Sequence, residues 1–78
     1  MQNLIVFKGK VDKIHHKISK KYNKRFVIFF IDNKKLLCEK EVFDTIEDFD
    51  VLECYEFECI PSPEENVFSV KKINKASS

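Results

Sequence analysis

Arg25–Val42 reads RFVIFFIDNKKLLCEKEV, and its two halves set the architecture. Arg25–Asp32 is strand-like, because β-branched and aromatic side chains fill a pleated surface well. It is apolar on both faces: Phe26, Ile28 and Phe30 alternate with Val27, Phe29 and Ile31. A strand of a small sheet domain turns one face to the core and ordinarily leaves the other polar. Two apolar faces therefore call for a cover on the second, from a partner subunit, a folded-back loop or stacked bases. Asp32-Asn33-Lys34-Lys35 suits a turn, since Asp and Asn tolerate turn dihedrals. Lys35–Val42 then returns as a strand, and the stretch is a hairpin.

On the N-terminal side, Leu4–Ile14 reads as one long first strand. Gly9, the only glycine, marks a bend or bulge where that strand curls. Lys13–Arg25, KIHHKISKKYNKR, holds six Lys/Arg, two His, one Tyr and no carboxylate. It is expected to be a loop, because a polycationic segment cannot enter a core. A polyanion is its natural partner, and nucleic acid is the commonest one, through counterion release from phosphates. The bland alternative is a solvated loop without a partner.

On the C-terminal side, Phe43–Asp50 (FDTIEDFD) suits one or two helical turns capped by Asp44 or Thr45. Phe43, Ile46 and Phe49 recur every three residues and would plug the core. Glu53–Ile60 alternates Tyr55, Phe57 and Cys59 with Cys54, Glu56 and Glu58, as a strand with one apolar and one acidic face does. Pro61–Asn66 is a loop and Val67–Ile73 a fifth strand. Residues 1–74 form one domain, and 75–78 a frayed tail.

The net charge of +1 conceals three blocks. Residues 1–38 carry ten Lys/Arg against Asp12 and Asp32. Residues 39–65 carry eleven carboxylates against Lys40, and residues 66–78 carry three Lys and no acid. Such segregation predicts a basic face and an acidic face. Alternatively, the blocks pair within the fold or across an oligomer. The three cysteines, Cys38, Cys54 and Cys59, are an odd number at spacings unlike paired metal knuckles, so reduced thiols and no metal site are expected. No apolar run approaches the ~20 residues of a membrane span. The chain is expected to be soluble and cytoplasmic, with no cofactor.

The pattern resembles the oligonucleotide/oligosaccharide-binding (OB) fold, a small Greek-key barrel. The resemblance rests on VFKGKVDKI as a bent first strand, the RFVIFFID…KLLCEKEV hairpin, and VLECYEFECI…NVFSVKKI as a closing pair. It implies a mostly β, five-stranded OB-like barrel with one short helix between strands 3 and 4. It also implies a binding face on the second and third strands, framed by His15–Lys24 and Pro61–Asn66. Glu64 and Glu65 in the second loop depart from a nucleic-acid-binding pattern.

Single-strand binding needs cations for phosphates and exposed rings for bases. Lys17, Lys20, Lys21, Lys24, Arg25, Lys34 and Lys35 are the candidate cations. Tyr22, Phe26 and Phe30 are the candidate stacking rings, with Tyr22 foremost inside the basic segment. His15 and His16 read as solvated, as do Glu56 and Glu58. No phosphate-cradling glycine loop or nucleophile–base motif is present, so the sequence points to a non-enzyme. It predicts a module for single-stranded DNA or RNA of low sequence specificity. The alternative is a protein-interaction module, with a homodimer through the apolar second strand and a basic protein partner on residues 39–65. Inhibition by nucleic-acid mimicry through the acidic block is a third reading.

Overall fold

The computed structural model describes residues 3–76 of the 78-residue chain. Six strands and one helix follow in the order β1 (Ile5–Gly9), β2 (Lys13–Ser19), β3 (Lys24–Ile31), β4 (Lys34–Glu39), α1 (Lys40–Phe43), β5 (Tyr55–Pro61) and β6 (Val67–Lys75). They form one sheet in the order β1-β5-β6-β4-β3-β2. Neighbours are antiparallel except β4 and β6, which run parallel.

The hairpin predicted from Arg25–Val42 is β3–β4. Asp32 and Asn33 have φ of 47° and 65°, the paired positive dihedrals of a two-residue turn whose twist matches its strands. That turn sets Phe30 opposite Lys35, Ile28 opposite Leu37 and Phe26 opposite Glu39. Strand alternation sends Val27, Phe29 and Ile31 inward. There they meet Leu36, Cys38, Tyr55, Phe57, Cys59, Val11, Val70 and Ile73, and no polar or charged residue is buried among the described residues. Val70 and Ile73 are three apart yet share the inner face. The register shifts between Glu58 and Cys59, which makes Lys71 an extra residue on β6 and re-phases the strand.

Phe43, Ile46 and Phe49 pack against this core. Phe29 lies 5.9 Å from Phe43, 5.4 Å from Phe49 and 5.1 Å from Phe57, ring centre to ring centre. Phe49 stacks on Tyr55 at 4.6 Å. The Tyr55 hydroxyl accepts the Asp50 N–H at 2.9 Å, so the one polar atom of this buried ring is satisfied.

Several expectations are corrected. Leu4–Ile14 is two strands, because the chain breaks pairing after Gly9 (φ 157°) and resumes at Lys13. The count is therefore six rather than five. β1 and β2 are the two sheet edges and share no ladder, so the sheet is not closed into a barrel. Asp12 fastens the link between them to β3: its N–H donates to Phe30 O at 2.8 Å and its Oδ2 accepts the Asp32 N–H at 3.1 Å.

The helix lies between the third and fourth strands of the expected scheme, but at Lys40–Phe43 rather than Phe43–Asp50. The returning strand accordingly stops at Glu39 rather than Val42. Asp44 ends the helix instead of starting it, and the Thr45 hydroxyl donates to Val42 O at 2.7 Å. Positive φ at Asp48 (52°) stops any continuation. The last strand extends to Lys75, and Ala76 N–H donates to Cys54 O at 3.1 Å, so the frayed-tail expectation fails there. Residues 77–78 lie outside the described residues. Among those described, no helix is long and apolar enough to cross a membrane.

Candidate nucleic-acid interface

The basic segment is only partly a loop. Lys13–Ser19 is the edge strand β2, and the loop is confined to residues 20–23. The strand forms because Lys13, His15, Lys17 and Ser19 alternate with Ile14, His16 and Ile18. Lysines on an exposed edge also discourage pairing with other chains.

Cross-strand register builds the outer face in rows. Lys13, Phe30 and Lys35 form one row; His15, Ile28 and Leu37 the next; Lys17, Phe26 and Glu39 the third. Ser19 and Lys24 close the face beside the 20–23 loop. Phe26, Ile28, Phe30 and Leu37 are half-buried, while the flanking Lys13, His15, Lys17 and Lys35 are exposed. The second apolar face of β3 thus keeps part of its surface open, with a cationic rim.

A groove of about 220 Å³ opens on this face, lined by Lys17, Ser19, Tyr22, Phe26, Ile28 and Leu37. Tyr22 is 62% exposed. Its N–H donates to the Ser19 hydroxyl at 3.4 Å, and positive φ at Asn23 (51°) turns the loop back into β3. Lys21 Nζ stands 5.3 Å from the Tyr22 ring. Phe30 is covered differently: Lys13 and Lys35 place Nζ at 5.7 and 5.9 Å from its ring. Cations over a ring face are attracted by its quadrupole, so Phe30 concentrates positive charge at that end of the face.

The structure sorts the predicted residues. Lys17, Tyr22 and Phe26 converge on the groove, Lys35 stands on the same face, and Lys20 and Lys21 project from the loop. Arg25 does not join them, because strand alternation puts it on the opposite side of β3 from Phe26. Lys34 also turns away. It lies 5.8 Å from the Phe7 ring, donates to Asp32 O at 3.4 Å and sits 3.8 Å from Asp32 Oδ2. Lys24 is on the face but paired, with its Nζ 2.9 Å from Glu39 Oε1. Hydrogen bonding and charge from Glu39 push the Lys24 pKa up, and the same contacts from Lys24 pull Glu39 below the ordinary carboxylate value.

Lys13, His15, Ile28, Leu37 and Glu39 belong to the face and were not picked out as site residues. The signal for the first two was the period-two alternation within KIHHKIS. Ile28 shared the alternation of Phe26 and Phe30, and Leu37 and Glu39 become visible only once β4 is registered against β3.

The acidic block is not a single face. Glu56 and Glu58 point outward on β5, opposite Lys8 and Val6 of β1 and opposite Asn74 and Lys72 of β6. Asn74 Nδ2 donates to Glu58 Oε2 at 3.1 Å. Glu64 and Glu65 are exposed in the β5–β6 loop, which is tied to the hairpin by Lys35 N–H donating to Asn66 O at 2.9 Å. All three cysteines are free thiols; burial pushes Cys38 and Cys59 up to about 12. Among the described residues, no group of three or more His, Cys, Asp or Glu is placed to hold a metal ion.

No family model, curated protein or solved structure matches this chain.

Proposed function

We propose that the outer face of β2, β3 and β4 binds single-stranded DNA or RNA with low sequence specificity, as a non-enzymatic OB-type module. The observation that carries this is the groove in which Lys17, Tyr22 and Phe26 meet over an aliphatic floor of Ile28 and Leu37. A single strand offers phosphates and unstacked bases together. The lysines of β2, of the 20–23 loop and of Lys35 take the phosphates, while Tyr22 and Phe26 take base faces. Specificity stays low because every base has a π face.

An OB-like topology with its first strand broken after Gly9 is consistent with the parallel β4–β6 pair, in a sheet left open between β1 and β2. The three free thiols fit a reducing cytoplasm.

Fluorescence anisotropy of labelled oligo-dT and of a mixed-sequence RNA, at low and moderate salt, tests the reading. Salt-sensitive binding that Lys17→Glu with Lys20→Glu and Lys21→Glu abolishes is the expected result. No binding at micromolar protein refutes it.

A second reading uses the same apolar row. β3 lies between β2 and β4 and has no free edge, so a homodimer through it would stack face on face and cover the groove. The exposed acids of residues 39–65 would then serve a basic protein partner. A dimeric mass in solution that Phe26→Ser abolishes, without nucleic-acid binding, would favour this reading.

A further inference from the structure

On the strand surfaces of the proposed face, the described residues present Lys13, Lys17, Lys24 and Lys35 and a single carboxylate, Glu39. Glu39 is not needed to compensate a buried charge. Its side chain is 47% exposed and that of Lys24 is 59% exposed, and such surface pairs contribute little to stability. It nevertheless stands opposite Phe26, a groove ring, and holds the Lys24 ammonium at 2.9 Å.

A depression of about 230 Å³ adjoins the groove at this end, lined by Asn23, Lys24, Arg25, Glu39, Lys40 and Glu41. Lys40 already pairs with Asp44. Three cations therefore surround the depression, and Glu39 occupies the one nearest the proposed phosphate path.

We propose that Glu39 is a built-in competitor for the phosphate site at Lys24, and that it sets the affinity of this face for single strands. The proposal rests on the reading of the face as a single-strand interface. A carboxylate and a phosphate offer an ammonium the same acceptor chemistry, so one displaces the other. A strand that reaches Lys24 must first break the Lys24–Glu39 pair and then lie beside the expelled carboxylate. A strand that stops short forgoes one cation. Either way, Lys24 contributes less than Lys17, which has no carboxylate partner among the described residues, and the complex stays easily exchanged.

The test is a salt titration of oligo-dT binding by anisotropy for the wild type, E39Q, K24Q, E39Q with K24Q, and K17Q. Thermal melting checks that each is folded. The proposal expects E39Q to tighten binding by roughly 1.4- to fivefold at low salt, the range spanned by surface ion pairs. The log–log salt slope should steepen by about 0.7, the increment for one more phosphate on a single strand. K24Q should change wild-type binding little, and adding K24Q to E39Q should remove the gain. E39Q without effect, or K24Q weakening the wild type as much as K17Q, overturns the proposal and leaves the interface standing. Absence of binding by the wild type overturns both.

Discussion

Replacing Lys13, Lys17 and Lys35 together by glutamine removes the strand cations of the face that have no carboxylate partner among the described residues, while keeping every strand and the aliphatic floor. The structure bounds the effect. Lys24 is tied to Glu39, Lys34 faces Phe7, and Arg25 lies across the strand. That leaves these three lysines with Lys20 and Lys21. Five cations neutralising five phosphates give a log–log salt slope of about −3.5 on a single strand, and the triple variant keeps two of them, for a slope of about −1.4. Between 50 and 200 mM salt, wild-type affinity should then fall roughly 130-fold and that of the variant only about sevenfold. Anisotropy with oligo-dT across that range reads both slopes. All three side chains are exposed, so the melting temperature should hold within the small range expected of surface substitutions. An unchanged slope in the folded variant would refute this assignment of the phosphate path. So would an equal loss of slope on neutralising Lys34 alone.

Tyr22→Ala should weaken single-strand binding by about 1–3 kcal/mol, the range for one stacked base, with no change in melting, because the ring is 62% exposed. Phe29→Ala should cost about 3–5 kcal/mol in chemical denaturation, as large-to-small core changes do; its ring is fully buried against Phe43, Phe49 and Phe57. Cys38 and Cys59, pushed up to about 12 by burial, should resist a disulfide reagent at pH 8 until the protein unfolds. Half-buried Cys54 should react first, and three equally fast thiols would contradict the buried placement. Glu39 has its pKa lowered by Lys24, so the pair's small contribution is complete above the ordinary carboxylate value. It fades as pH falls through the lowered one, and E39Q should remove that increment from the acid limb of the stability curve.

Much of the sheet was legible because burial on one face writes a period of two into a strand. Tyr55, Phe57 and Cys59 against Cys54, Glu56 and Glu58 is such a record, and all three inward residues are buried. The Asp-Asn turn was legible for a local reason, since few residues accept positive φ at two successive positions. The helix was misplaced because Asp44 and Thr45 bond equally well to the end of a turn as to its start. The edge strand β2 was hidden by its lysines. A strand paired on one side only has little burial to impose, so composition resembled a loop while alternation persisted beneath it.

The candidate site was legible as a composition and not as a surface. Six cations and a tyrosine between residues 13 and 25 are the composition on which the expectation of a polyanion partner rests. Which of them share a face follows from register. β2 and β4 flank β3 only through long-range ladders, and those ladders bring Lys17 and Tyr22 over Phe26 while assigning Lys24 to Glu39, fifteen residues away. By itself, the sequence determined the β3–β4 hairpin and its turn, strands β5 and β6, and the inward face of β5, because these depend on local dihedral preference and periodic burial. Only the tertiary structure decided the break after Gly9, the open sheet edges and which lysines lack a carboxylate partner among the described residues, because these depend on contacts between residues far apart in the chain.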